Sequence, residues 1–446
     1  MNGNRFRRVG QRIFFARRAF HRDAASLASS RGPLAVSRRR AQRDGQADDA
    51  RSRGSGERDR AANAEAQTEA EAQARSVSAL WPRMSVRLAV SVQPSDDLRL
   101  ALLPLFVAGE IEAIEWTWES GLPDWLDALV AFYGSKNALY THLVGFPLCG
   151  DGTTVPRRLA EVTHWSKASP CHVSAHFGLV QAAGFSDIAP LPVVPCTEIV
   201  TTARERLCRL RDAAACPIGV ENLAFAFSLD DVARQGEMLD SILSPDDFLL
   251  LDLHNLHCQA ATFGTDPVAL MNRYPLDGVR EIHVSGGSFS YPKVDPRPFR
   301  RDTHDGAVPD EVLELLDVAI ARCPRLEVVC LERIGGSLPE DGDKGELASD
   351  FARLKARLAA HRPTDRAPNR RSPDIALPSV DGRLLRRFES GLVDVLATAA
   401  GVDEARAALK NLSQNATLSA FVDRIEPRCL EVALELEKRW AVRDRD

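Results

Sequence analysis

Residues 249–257 read LLLDLHNLH. Three leucines run straight into an aspartate, a histidine, an asparagine and a second histidine. A buried strand has no reason to finish in groups that resist apolar surroundings unless its end opens onto a site that uses them. The run FLLLDLHN (248–255) is one of eight short apolar, β-branched segments. The others are VRLAVSV (86–92), IEAIEWTW (111–118), NALYTHLV (137–144), CHVSAHFG (171–178), CPIGVENL (216–223), VREIHVSG (279–286) and EVVCLERI (327–334). Between most of them lie stretches of helical character such as DWLDALVAFYG, VPRRLAEVTHW, TEIVTTARERLCRLRDA, LDDVARQGEMLDSIL and PDEVLELLDVAIARC. Strands alternating with helical crossovers imply parallel pairing. Eight such units match a (β/α)8 TIM barrel, an α/β fold, in number and length. The barrel is expected over residues 84–362, closed by the helix GELASDFARLKARLAAH.

The polar residues gather at one end of these strands. Seven of the eight runs carry a histidine or carboxylate at or near the C-terminal end: Glu115 and Glu119, His142, His172 and His176, Glu221 with Asn222, Asp252 with His254 and Asn255, His283, and Glu332. The loop RDTHDG adds Asp302 and His304. In a barrel these ends converge on the face where active sites form. Several carboxylates buried together need cations to neutralise them, and mixed imidazole and carboxylate donors without thiolate pairs suit zinc, iron, manganese or cobalt. Eight or nine ligands exceed what one metal uses, so two or three metals sharing carboxylates are expected. Asp252 is the leading ligand of its strand. Alternation puts His254 on the same pleat face, to join it or hold a ligand in place. Asn255 is read as a ligand through its carbonyl or as a hydrogen-bond donor to one, and His257 as lying past the strand. Alternation also puts His172 on the face of His176, where it supports a ligand or packs the barrel.

The chain has 446 residues, a net charge of −5 and 44% apolar residues, ordinary for a soluble globular protein. No apolar stretch approaches the ~20 residues needed to span a bilayer, so no membrane partner is expected. Nine cysteines form no CxxC pair, and most lie inside apolar runs. This is the pattern of reduced thiols in a cytoplasmic protein. Charge is distributed unevenly, with about +9 on residues 1–83 and about −14 on the rest. The first 83 residues are arginine-rich, lack lysine and contain no secretory apolar core. They are read as a disordered extension, or as sequence ahead of a true start at Met84, which opens MSVRLAVSV. The acidic remainder argues against nucleic acid as a partner. A polar linker is expected at 363–377. A small C-terminal helical region follows at 378–446, with RLLRRFESGLVDVLATAA, VDEARAALKNLS and PRCLEVALELEKRW as its helices. That region either docks a peptide or a second subunit, or packs on the barrel.

At these residues the sequence resembles the DUF692 proteins, the multinuclear non-heme iron-dependent oxidative enzymes of methanobactin-type and thioglutamate-pathway peptide modification. The resemblance covers roughly residues 86–362. It is carried, in order, by THLVGFPLCG, VSAHFG, LPVVPCTE, VENL, LLLDLHNLHCQAATFGTDP, EIHVSGGSF, RDTHDGAVPDEVLELL and VVCLERIGGSLP. It implies a xylose-isomerase-like barrel with His142, His176, Glu221, Asp252, His283, Asp302, His304 and Glu332 as iron ligands and Asn255 as a further one. Two to three Fe ions (Fe(II)/Fe(III)) are implied as cofactors, with O2 as co-substrate. The implied substrate is a ribosomal precursor peptide, oxidised most often at cysteine and brought in by a leader-binding partner protein. Glu221, Asp252 and His254 are the residues assigned catalytic roles. The sequence departs from the family where His254 replaces an asparagine and where Phe263 stands in place of a frequent histidine. Glu119 is expected to orient a ligand or the substrate, or else to be a surface carboxylate.

Two other readings compete. One is a different metal-dependent barrel enzyme, an endonuclease IV-like hydrolase or a sugar isomerase, since fold alone does not decide function. A nuclease needs a basic face, and an isomerase usually brings a lysine to the reacting carbons, whereas Lys293 is the lysine nearest a strand end. The other is a non-catalytic metal- or peptide-binding protein, which would be expected to have lost ligands.

Overall fold

The structure, a computed structural model, describes residues 86–180, 190–361 and 376–441, with side chains as far as Leu436. The extension read over 1–83 and all but the last two residues of the linker lie outside the described residues. Eight parallel strands close into a barrel: β1 (Arg87–Val92), β2 (Ala113–Thr117), β3 (Leu139–Leu143), β4 (Val173–His176), β5 (Ile218–Glu221), β6 (Phe248–Asp252), β7 (Val279–Val284) and β10 (Val328–Leu331). Each falls within one of the eight apolar runs, and β1 pairs with both β2 and β10 to shut the ring. The crossover helices are α1 (Asp96–Ala108), α2 (Asp124–Gly134), α3 (Val155–Trp165), α4 (Thr197–Ala214), α5 (Leu229–Ile242), α6 (Leu253–Phe263), the short α7 (Pro267–Met271), α8 (Asp310–Arg322) and α9 (Asp341–Ala360). Between β7 and α8 a two-residue hairpin forms from β8 (Phe289–Ser290) and β9 (Phe299–Arg300). Among the described residues, no helix is long and apolar enough to cross a membrane.

LLLDLHNLH divides at Asp252. The leucines are fully buried in β6, but Asp252 is the N-cap of α6, its Oδ1 accepting from Asn255 N at 2.6 Å. An aspartate at this position satisfies one of the otherwise orphaned N–H groups of a helix start. The expectation that strand alternation sets His254 beside Asp252 therefore does not hold, because His254 is already helical and turns a different way. β5 and β6 are tied at this same point. Asn222 Nδ2 donates to Asp252 O at 3.1 Å, and Asp252 N donates to Asn222 Oδ1 at 2.8 Å.

Among the described residues, four helices follow the barrel: α10 (Gly382–Thr398), α11 (Val402–Leu412), α12 (Ala416–Arg424) and α13 (Pro427–Ala441). They pack on it. Val380 N donates to Glu198 Oε2 at 2.9 Å, Glu426 N donates to Phe227 O at 2.9 Å, and Arg428 donates to Thr262 O. Phe421 meets Phe227 edge-on at 6.0 Å between ring centroids, and Phe388 at the same distance. Arg424 Nε lies 3.2 Å from Asp230 Oδ2.

Glu389, on α10, is 5% exposed. Burial pushes its carboxyl up from 4.5 to about 7, against the pull of Arg206 and Arg386. The folded chain thus holds this proton more tightly than the unfolded chain. Stability contributed by the protonated form is complete below about pH 4.5 and is lost as pH rises through about 7. Glu389→Gln is expected to remove this slope and to raise stability at pH 8 by on the order of 3 kcal/mol. Denaturant midpoints of both proteins at pH 5 and pH 8 check it, and parallel pH dependences would refute it.

Candidate metal centre

His176, Glu221 and Asp252 end β4, β5 and β6, His142 and His283 each stand one residue before the ends of β3 and β7, and Glu332 lies just past β10. Register aligns them, since His176 pairs with Glu221 and Asp252 with His283 across neighbouring strands. His304 reaches the same end from the loop after β9. Its backbone lies in the left-handed region (φ 53°), a conformation uncommon outside glycine. Gly287 lets this loop close in. A Cβ there would stand 2.1 Å from Arg301 O and 2.9 Å from His254 Cε1.

Besides a fully buried group of Glu115, His283 and Cys330, three adjoining groups of ligand atoms result among the described residues, the atoms of each within 4.8 Å of one another: His142, His176 and Glu221; Glu221, Asp252 and His283; Asp252, His304 and Glu332. Glu221 belongs to the first two and Asp252 to the last two, so the groups form a row joined by two shared carboxylates. Glu221 Oε2 lies 3.0 Å from His176 Nε2 and 3.3 Å from His142 Nε2, while His283 Nδ1 lies 3.0 Å from Glu332 Oε2. Despite these close approaches, Glu221 Oε2, Asp252 Oδ2, Glu332 Oε2, Asn255 Oδ1, His176 Nδ1 and His283 Nδ1 are buried without a well-aligned hydrogen bond. Natural proteins rarely leave so many buried polar atoms unpaired in one place. Nitrogen and carboxylate donors converging in this way fit divalent transition metals. Crowding shows in the protonation preferences. Burial, then the charges of Asp302, Glu221 and Glu332, drive the Asp252 carboxyl well above its usual range. Burial, then His176, His283 and His304, press His142 well below its own.

Other expected residues fall around this row. Asn255 Nδ2 donates to Glu221 Oε1 at 3.2 Å and to Asn222 O at 2.9 Å, which holds the shared carboxylate in place. Asp302 lies outside the three groups. Its Oδ1 accepts from His254 Nδ1 at 2.8 Å and from Ser285 Oγ at 3.2 Å, and its Oδ2 from His304 Nε2 at 2.9 Å. His254 is likewise outside them. Arg300 Nε donates to its Nε2 at 3.4 Å, so its contact with the site runs through Asp302. His257 stacks on His254 at 6.1 Å, and Glu119 Oε1 accepts from Gly145 N at 3.0 Å. Phe263 packs on the core beneath the Arg428 guanidinium, 5.8 Å from its centroid.

Sequence reasoning passed over Glu281 and Ser174. Ser174 Oγ is 2.8 Å from His142 Nδ1, and Glu281 Oε2 is 2.8 Å from His172 Nε2. Burial alone pushes Glu281 up, but the facing His172 and His283 imidazoles outweigh it and hold the carboxyl at about 2. The signal for Glu281 was present in VREIHV, where alternation sets it on the face of His283.

The profile of the RiPP precursor modification enzymes MbnB/TglH/ChrH matches residues 110–347. A UPF0276 protein of Caulobacter vibrioides is 30% identical over 198 residues, 44% of this chain and 67% of its own. Another, of Acaryochloris marina, is 29% identical over 180 residues, 40% of this chain and 60% of its own, so the chain spans well under the full length of that relative. Among solved structures, the IOLI protein with a binding zinc atom aligns over 63% of this chain and 100% of its own, with TM-score 0.45 and 14% identity. D-psicose 3-epimerase in the presence of D-fructose aligns over 61% and 97%, with TM-score 0.37 and 13% identity. The family profile takes in more than half of the chain and every residue of the three ligand groups, and on that ground the chain belongs to the MbnB/TglH/ChrH family of RiPP precursor modification enzymes.

Proposed function

We propose that the chain is a multinuclear non-heme iron enzyme that uses O2 to oxidise a ribosomally made peptide at cysteine. One observation carries the reading: three adjoining groups of buried imidazole and carboxylate donors linked through Glu221 and Asp252 at the C-terminal face of the barrel. His142, His176, Glu221, Asp252, His283, His304 and Glu332 would hold two to three irons, with Asn255 able to add its unpaired Oδ1. When bound, iron supplies a position for a substrate thiolate and electron transfer with O2.

The chain's own side chains do the rest. Glu221 and Asp252 hold neighbouring positions at a fixed separation. Asn255 keeps both carboxylates aimed, its Nδ2 donating to Glu221 Oε1 and its backbone N to Asp252 Oδ1, while Asn222 fixes the Asp252 backbone. His254, through Asp302, orients His304 and contributes as a positioning residue. The buried barrel end keeps water from the reacting groups. Peptide delivery by a leader-binding partner protein belongs to the same proposal. The full chain, purified without oxygen, is expected to carry two to three irons by elemental analysis. Stoichiometric zinc retained through growth in iron-rich medium would instead favour hydrolytic chemistry, and a folded chain without metal would end the reading.

A further inference from the structure

The barrel interior directly below the ligand groups is polar where barrels ordinarily stack branched apolar residues. The alternation that turns His283 inward on β7 turns Glu281 inward one rung lower. His172 Nε2 donates to Glu281 Oε2 at 2.8 Å, and its ring lies between Tyr140 and Phe248, 4.5 Å from each. Gly219 makes room for this packing, since a Cβ there would stand 2.4 Å from the Phe248 ring. Glu115, turned inward from β2, accepts from His283 Nε2 at 3.0 Å, and its Oε1 takes the Cys330 thiol at 3.8 Å. Glu115, His172, Glu281 and His283 are each no more than 1% exposed. Burial on this scale is unfavourable for carboxylates unless their partners are well placed.

His283 stands between this floor and the ligand groups. Its Nε2 faces Glu115 below, and its Nδ1 faces Glu332 Oε2 at 3.0 Å and Glu221 Oε1 at 4.0 Å above. A neutral imidazole carries one N–H. A carboxylate on Nε2 keeps the proton there and leaves the Nδ1 lone pair for the other side. Glu281 Oε1 is 3.8 Å from the same Nε2, beyond hydrogen-bond length, and its other oxygen is held by His172. Glu115 is thus the acceptor His283 uses.

We propose that Glu115 is a positioning residue that fixes the tautomer and aim of His283, with the His172–Glu281 pair holding the second carboxylate clear of that bond. The inference rests on the ligand groups being metal sites. Metal-free full chain titrated with Co2+ against a competing chelator tests it. Glu115→Gln is expected to weaken Co2+ binding by about 10–100-fold and to change the Co2+ absorption spectrum, while the metal-free melting midpoint stays unchanged. In the Zn2+-loaded wild-type chain, ¹⁵N spectra are expected to show His283 protonated at Nε2, its signals identified by their loss in His283→Asn. Unchanged Co2+ affinity in Glu115→Gln, or His283 protonated at Nδ1, overturns the proposal. The ¹⁵N spectrum decides alone if Glu115→Gln does not fold. A wild-type chain that takes up neither metal overturns the metal reading itself, a different failure.

Discussion

On the proposed iron reading, Glu221→Gln is expected to leave anaerobic purification with most of the iron gone and with peptide oxidation lowered by at least about a thousandfold. Glu221 is one of the two carboxylates that join the adjoining groups. Glu221 Oε2 lies between His142 Nε2 and His176 Nε2, and its carboxylate is shared with the group of Asp252 and His283. Glutamine is nearly the same shape and can still accept from Asn255 Nδ2. Its amide nitrogen, however, would present N–H donors to the two imidazoles at 3.0–3.3 Å and occupy the lone pairs a metal needs. The change also removes one negative charge from a buried cluster, so the metal-free fold should become no less stable. Loss of metal with an unchanged or higher metal-free melting midpoint is the expected pair of results. Wild-type iron content in this variant would show that Glu221 is not a shared ligand. His257→Ala, at a side chain that stacks on His254 away from the groups, should keep its iron.

Phe421→Ala is expected to destabilise the chain by about 3–5 kcal/mol, the largest stability effect among these substitutions. The ring is 1% exposed and fits edge-on between Phe227 of the β5–α5 connection and Phe388 of α10. Truncation leaves a cavity with aromatic walls on both sides, and backbone anchors nearby, such as Glu426 N to Phe227 O, oppose its collapse. A urea midpoint shift would measure the effect. A loss below about 1 kcal/mol would mean that α12 contributes little to holding the C-terminal helices on the barrel.

The barrel was legible because each strand announces itself by a short apolar run, and parallel pairing follows from the helical stretches between them. The row of candidate ligands was legible for the same reason. His176, Glu221 and Asp252 end strands and His142 stands one residue from an end, so their convergence follows from topology without knowledge of any loop. His254 and Asp302 were not legible in detail. Where β6 stops depends on Asp252 capping a helix, and LHNLHCQAATF reads equally well as the end of a strand until that cap is seen. The separation of Asp302 from the three groups depends on a loop whose path is set by Gly287 and by Arg300, which stacks on Phe289 at 4.7 Å. Spacing along the chain carries no trace of these contacts. Glu115 was visible as a strand-end carboxylate, but its bond to His283 spans 168 positions in sequence.

The C-terminal helices grip the barrel at two points with a direct line to the ligands. Arg428 holds Thr262, near the end of the helix that Asp252 begins, and Glu431 accepts from Val294 N at 2.9 Å in the hairpin loop that leads to Asp302 and His304. Inheritance should reflect this. On the proposed iron reading, a saturation scan scored by metal retention would find sensitive positions at Arg428 and Glu431, far from any candidate ligand in sequence, and a lineage that exchanged these helices for others would have to re-tune the loops of the candidate ligands at the same time.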